Sequence, residues 1–209
     1  LVSVSAMKLL GKNNSDILGV TMPGFGTTDR TYQNAIDLMK SLGVTIKEIS
    51  IKDACVLHMK DIEHDSSVKD ITYENTQARE RTQILFDLAN KHGKLLVGTG
   101  DLSELAMGWC TYNGDHMSMY GVNASVPKTL VKYLVEYVAN VSDKKTADIL
   151  YDVLDTPVSP ELLPPDENGN IAQKTEDNIG PYELHDFFLY YLMRFGSKPS
   201  KILRSAEVA

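Results

Sequence analysis

The stretch Lys94-Leu95-Leu96-Val97-Gly98-Thr99-Gly100-Asp101 most narrows the folds open to this chain. It reads as an apolar strand, a glycine turn and then a helix that opens on Asp101 and Glu104. A strand ending in Gly-Thr-Gly and feeding a helix leaves backbone N–H groups, a hydroxyl and carboxylates together at one sheet edge. Phosphate and magnesium chemistry is done in such places.

The rest of the chain alternates in the same way. An opening helix carries Leu1, Val4, Met7, Leu9 and Leu10 up to the break at Gly11. Asp16 to Met22 is a short apolar run stopped by Pro23-Gly24, and Thr28 or Asp29 then caps a helix running to Gly43. Val44 to Ile51 alternates as a half-buried strand does, residues 53–60 form a short helix, and 61–71 a charged loop. Thr72 is expected to cap a long helix ended by Gly93, and Pro127 to open another with Leu130, Leu134, Tyr137 and Val138 on one face. Strands separated by helices of this length imply an α/β fold, a parallel sheet flanked by helices, with its site at the strand C-terminal ends. Five of the eight prolines fall between Asp155 and Tyr182, so 155–182 reads as a loop or lid, followed by a strongly apolar C-terminal helix, 183–196. The whole of 1–209 reads as one domain.

Charge and composition exclude several classes. Twenty-eight acidic residues against 21 basic give a net charge of −7. The Lys and Arg are scattered, which argues against nucleic acid as a partner. No apolar run approaches the ~18 residues of a membrane span. Cys55 and Cys110 lack metal or disulfide spacing and are expected to be two small buried hydrophobes in a reducing, cytoplasmic protein. The chain starts inside a helix and without Met, so residues upstream of Leu1 are expected.

Several residues could carry chemistry. Thr99 and Glu104 flank the strand-to-helix turn, where both could face a nucleotide, Glu104 through Mg²⁺, a cation that prefers hard oxygen ligands. The competing reading of Glu104 is a capping box, with Asp101 as N-cap. Arg79 has no carboxylate three or four residues away on its own helix and needs a partner elsewhere, or is a solvated surface cation. The turn from Met22 to Thr31 places two glycines where a ligand could approach the backbone. Cys110 has no activating base nearby in sequence, which favours a packed thiol over a nucleophile.

Four blocks, MPGFGTTDRT, NTQARERTQILFDLANKHG, LLVGTGDLSELAMGWCTYNGDHMSMYGVNASVPKTL and EDNIGPYELHDFFLYY, together closely resemble the synthetase domain of glutamine-dependent NAD synthetases, in order from about Met22 to Arg204. The resemblance implies an adenine-nucleotide α-hydrolase-like fold of the ATP pyrophosphatase type and a homodimeric core. It implies a two-step reaction: ATP adenylates the nicotinate carboxylate of deamido-NAD, and ammonia, released from glutamine by a separate glutaminase domain, then displaces AMP. By the same resemblance Arg79 would contact deamido-NAD, Thr99, Lys128 and Ser159 would contact ATP, and Glu104 would bind Mg²⁺. No side chain is implied as a nucleophile. The family's Ser-Gly-Gly-x-Asp-Ser phosphate loop is not in the chain, so a central strand and its loop are expected to be missing and the chain is expected to need a partner. Another amide-forming ATP pyrophosphatase such as a GMP synthetase, or a non-catalytic module that dimerises and binds dinucleotide, would share parts of this reading.

Overall fold

A computed structural model describes residues 1–164 and 174–208. After α1 (Val2–Leu9) and a single 3-10 turn at Asn14–Asp16 comes β1 (Leu18–Thr21), which pairs in parallel with β2 (Thr45–Glu48), Leu18 opposite Thr45 and Thr21 opposite Glu48. The crossover between them is α2 (Asp29–Ser41), capped by Thr28, whose side chain accepts from the Thr31 N–H. Next come α3 (Lys52–Asp61) and the long α4 (Ile71–His92). The cap of α4 is Asp70 rather than Thr72: its carboxylate accepts from the Thr72 and Tyr73 N–H groups, a charged acceptor in an extended residue just before the helix. Gly93 ends α4 at φ +60°, in the left-handed stop the sequence implied.

β3 (Val97–Gly98) pairs in parallel with β4 (Tyr120–Gly121), and α5 (Leu102–Met107) lies in their crossover. Pairing is parallel throughout, as expected, but the described strands form two separate two-stranded sheets rather than one. β4 carries no strand-length apolar run and was not legible in the sequence. The α6 helix (Lys128–Val141) and α7 (Lys144–Asp155) pack as a hairpin, and α7 also packs on α2. Within 155–182, residues 165–173 fall outside the described residues, so most of the expected lid does too; α8 (Thr175–Ile179) follows them. The apolar helix is α9 (Tyr182–Phe195), stopped by Gly196 at φ +60°, and α10 (Pro199–Ala206) folds back on it.

The best-buried apolar cluster lies under the first sheet's outlet. Ile51, Cys55 and Met59 follow one another at helical spacing on one stripe and meet Tyr73 of α4, with Met22, Phe25, Ile84 and Leu163 packed around them. The Phe25 and Tyr73 rings lie 5.4 Å apart. Cys55 is buried here and burial pushes its thiol up to about 11. Cys110 is exposed, contrary to the expectation of two buried thiols, and sits past the end of α5 in an irregular turn.

One buried amide fixes how this cluster meets the chain around it. Gln77, fully buried, accepts from the Phe25 N–H (3.0 Å) and donates to the Leu162 carbonyl (2.8 Å). It thereby ties the turn after β1 and the segment after α7 to α4. The glycines of that turn are needed for the same contact. A β-carbon on Gly24 would sit 2.9 Å from Gln77 Oε1, and one on Gly26 2.6 Å from the Leu163 carbonyl. The close backbone approach read from the sequence is therefore filled by the protein's own segment 161–163.

Replacing Gln77 with Leu keeps the volume but leaves a backbone N–H and a backbone carbonyl buried without partners. It should destabilise the chain by about 2–4 kcal/mol in urea melts, and a change below about 0.5 kcal/mol would show that Gln77 does not hold these segments.

Candidate active site

The starts of three helices converge on one buried cluster. Asp101, directly after the Gly98–Gly100 turn, caps α5: its Oδ1 accepts from the Glu104 N–H (3.0 Å), and Glu104 Oε2 accepts from the Asp101 N–H (3.1 Å). The capping box weighed for Glu104 is thus present. The same two carboxylates have a second job. Lys128, the first residue of α6, places its Nζ 2.6 Å from Asp101 Oδ2 and 2.5 Å from Glu104 Oε1. The Asp101 side chain is only 2 % exposed, whereas Glu104 keeps 28 %.

The cluster is held from below by α9. Asp186, buried one turn into that helix, accepts from the Thr129 N–H (2.9 Å), the Thr129 hydroxyl (2.7 Å) and the Ser103 hydroxyl. Ser103 Oγ in turn accepts from the Lys128 N–H (2.9 Å). One carboxylate therefore satisfies a free N-terminal N–H of α6 while binding α5. Tyr182, one turn before Asp186, lays its ring 5.6 Å from Lys128 Nζ.

The other residues singled out from the sequence have different anchors. Thr99 is exposed in the glycine turn, and its carbonyl accepts from Asn123 Nδ2 (3.3 Å). Arg79 is half-buried on α4 and donates through Nη1 to the Tyr112 carbonyl (3.3 Å), while Asn75 of the same helix accepts from the Tyr112 N–H (3.1 Å). Asn75 and Gln77 at the start of α4 are thus buried hydrogen-bonding residues rather than part of a solvated face. Ser159 Oγ accepts from the Glu161 N–H (3.1 Å), a local turn on the segment that Gln77 holds. The structure therefore joins Lys128 and Glu104 directly, sets Thr99 in the adjoining turn, and gives Arg79 and Ser159 separate supports.

Comparison with known proteins fits this layout. The family model described as NAD synthase matches residues 1–209. The chain belongs to the NAD synthase family. Among its relatives, the glutamine-dependent NAD(+) synthetase of Mycobacterium leprae is 48% identical over 209 residues, covering 97% of this chain and 31% of the relative. That of Synechocystis is 32% identical, covering 98% and 35%. The chain thus spans about a third of the length of the relatives it matches. Among solved structures, a glutamine-dependent NAD+ synthetase from Acinetobacter baumannii in complex with ADP superposes with a TM-score of 0.60 at 26% identity, over 97% of this chain and 35% of that one. An NMN synthetase from Francisella tularensis, 24% identical, shares the fold with a TM-score of 0.72 over 90% and 71%. These neighbours have the adenine-nucleotide α-hydrolase-like fold expected above.

Within this NAD synthase chain, two features of the cluster were not legible as site residues. Asp101 was read only as a cap, yet it is the more buried partner of Lys128. Tyr182 and Asp186 lie four apart in the Tyr-Glu-Leu-His-Asp sequence after Pro181, a spacing that stacks them on one helix face. Burial lowers the pKa of the Lys128 ammonium, but the ion pairs with Asp101 and Glu104 outweigh it and hold the group above its ordinary 10.5. Burial also pushes the Tyr182 phenol up to about 12, with Lys128 pulling the other way. The donor set suits a hard cation. Glu104 is a reachable carboxylate beside a glycine turn, and Mg²⁺ commonly takes one or two carboxylates and completes its shell with phosphate and water. Among the described residues, no group of three or more His, Cys, Asp or Glu forms a closed metal cage.

Because Asp101 is nearly sealed from water, removing its cation should be costly. Lys128→Met should destabilise the chain by about 3–5 kcal/mol, and adding Asp101→Asn should restore part of that loss. The sign with pH follows from a raised lysine: its contribution is fully present below 10.5 and is lost as pH rises through the folded-state value. The wild-type urea midpoint should therefore decline at strongly alkaline pH by a component that is missing in Lys128→Met; parallel alkaline profiles for the two proteins would refute this.

Proposed function

We propose that the chain is the synthetase part of a glutamine-dependent NAD synthetase, a ligase that amidates deamido-NAD to NAD with ATP and glutamine-derived ammonia, releasing AMP and pyrophosphate. The observation that carries this reading is the Lys128–Asp101–Glu104 cluster at the Gly98–Gly100 turn, in a chain of this family. A poised cation, a hydroxyl, backbone N–H groups and a partly exposed carboxylate gather where a strand opens into a helix.

In the first step an oxygen of the nicotinate carboxylate attacks the α-phosphorus and the bond to pyrophosphate breaks. In the second, ammonia attacks the acyl carbon, gives up a proton and expels AMP, leaving the carboxamide. Neither step requires a protein nucleophile, so the side chains act by position and charge. Lys128 stabilises negative charge that grows on the phosphate oxygens, more in the transition state than in the ground state. Thr99 donates its hydroxyl to ATP, and Ser159 contacts the nucleotide from the segment held by Gln77. Arg79 binds deamido-NAD, steadied by its contact with the Tyr112 carbonyl. Glu104 is the residue that would hold Mg²⁺, which when bound screens phosphate charge and acts as a Lewis acid.

The protein works as a homo-oligomer in the cytoplasm on this reading. Support comes from unpartnered apolar side chains on α6 and α9, including Tyr133, Tyr137, Tyr190 and Met193, all more than half exposed. Of the α6 stripe expected at Leu130, Leu134, Tyr137 and Val138, the first three are exposed and Val138 is half-buried. No helix among the described residues is long and apolar enough to cross a membrane.

Two substitutions in the intact protein test the assignments. Glu104→Gln keeps one acceptor oxygen, enough for the capping box or for Lys128 but not for both, and loses the charge, so adenylation should fall about 10²–10³-fold while the loss of Tm stays smaller than that of Lys128→Met. Normal turnover with a lower Tm would leave Glu104 as a cap alone. Arg79→Ala removes a charge-assisted contact and should weaken deamido-NAD binding about 10- to 100-fold while ATP binding holds; equal losses for both ligands would take Arg79 out of the dinucleotide site.

A further inference from the structure

Tyr182 presents a problem that packing alone does not solve. Its side chain is fully buried, and its hydroxyl has no hydrogen-bond partner among the described residues. A buried hydroxyl left unpaired is uncommon and costly. Phenylalanine would fill the same space and offer the same ring to Lys128. The residue is firmly placed: Pro181 precedes it, its N–H donates to Glu176 Oε1 (3.0 Å), and Asp186 one turn on ties the helix to Thr129 and Ser103. The Tyr182 ring is thus delivered, by a rigid helix start, to 5.6 Å from the Lys128 ammonium that Asp101 and Glu104 hold.

Asp101 presents the complementary problem. Its Oδ1 is committed to the cap of α5, and the cation on its Oδ2 is Lys128. If Lys128 turns to a nucleotide phosphate, Oδ2 becomes a buried charge with no partner, which opposes the turn. A donor that reached Oδ2 at that moment would remove the obstacle. The unused buried donor at this junction is the Tyr182 hydroxyl.

We propose that Tyr182 is a positioning residue of the nucleotide site, whose hydroxyl takes over Asp101 when Lys128 leaves its carboxylates for a phosphate of ATP. The inference rests on the reading of Lys128 as a phosphate contact. It gives the ligand-free ion pair a defined successor: one hydrogen bond to Asp101 is exchanged for another, no proton is transferred, and Asp101 keeps a partner in both arrangements.

Tyr182→Phe in the intact protein tests it, with ATP titrated calorimetrically in the absence of deamido-NAD. The variant should bind ATP about 10-fold more weakly or worse, with a Tm equal to or above the wild type, since it removes only an unpaired group. In an Asp101→Asn background, where no buried charge needs a partner, adding Tyr182→Phe should cost nothing further. ATP should also shift the tyrosine ultraviolet difference spectrum of the wild type by a component that Tyr182→Phe lacks. Wild-type ATP affinity in Tyr182→Phe overturns the exchange, as it would if Lys128 reached the phosphate with its third N–H and never left Asp101. A comparison of Asp101→Asn with Asp101→Asn/Lys128→Met separates the two levels. Equal ATP affinity there refutes the phosphate role of Lys128 and the exchange with it, whereas a loss there beside an unaffected Tyr182→Phe refutes the exchange alone.

Discussion

The placement of a lysine as the first residue of α6 organises much of what surrounds it. A cation at a helix N-terminus is opposed by the helix dipole, and Lys128 is also largely withdrawn from water. It is stable there because Asp101 and Glu104 hold it from α5, at 2.6 and 2.5 Å. Those carboxylates are themselves fixed by the capping box of α5, so the start of one helix supplies the counter-charge for the start of the next. Asp186 completes the arrangement by capping α6 from α9. Displacing any one of the three helix starts would strand a buried charge, which is why the glycine turn after β3 is held in a single register with the helices around it.

The contrast with the other prominent ion cluster shows what burial changes. Arg30 of α2 meets Asp152 and Asp155 of α7 at 2.6 and 3.0 Å, geometry as close as that of Lys128. Its side chains stay 42–81% exposed, so solvent screens the attraction and either partner can be lost at small cost. The Lys128 cluster differs in kind. Its pairing is obligatory while Asp101 is sealed, and that obligation gives a ligand something to work against: whatever draws Lys128 away must leave Asp101 with another partner.

The alternation of apolar runs and helical stripes made the parallel pairing legible, and Gly93 and Gly196 fixed two helix ends because φ near +60° is open to glycine at little cost. The cap of α4 at Asp70 was misplaced by two residues, since Asp70 and Thr72 are both good caps and sequence does not say which one is extended. β4 is two residues long and takes its register from β3, so it had no pattern to read. Cys110 was misread because a thiol's burial depends on what the tertiary fold lays over it, and the turn after α5 leaves Cys110 exposed.

By itself the sequence determined the order of the elements from α1 to α6 apart from β4, the apolar helix α9, the strand-to-helix turn at Gly98–Asp101, and through family blocks the residues Arg79, Thr99, Glu104, Lys128 and Ser159 as a candidate site. These are local properties, set by backbone freedom, period and capping over a few residues. Only the tertiary structure decided that Glu104 is at once a cap and a partner of Lys128, that Asp101 is its more buried partner, and that Tyr182 brings an unpaired hydroxyl to the same place. Those relations join residues 24 to 54 positions apart. Burial and pairing at that range follow from how the helices stack, and no spacing within a single element records it.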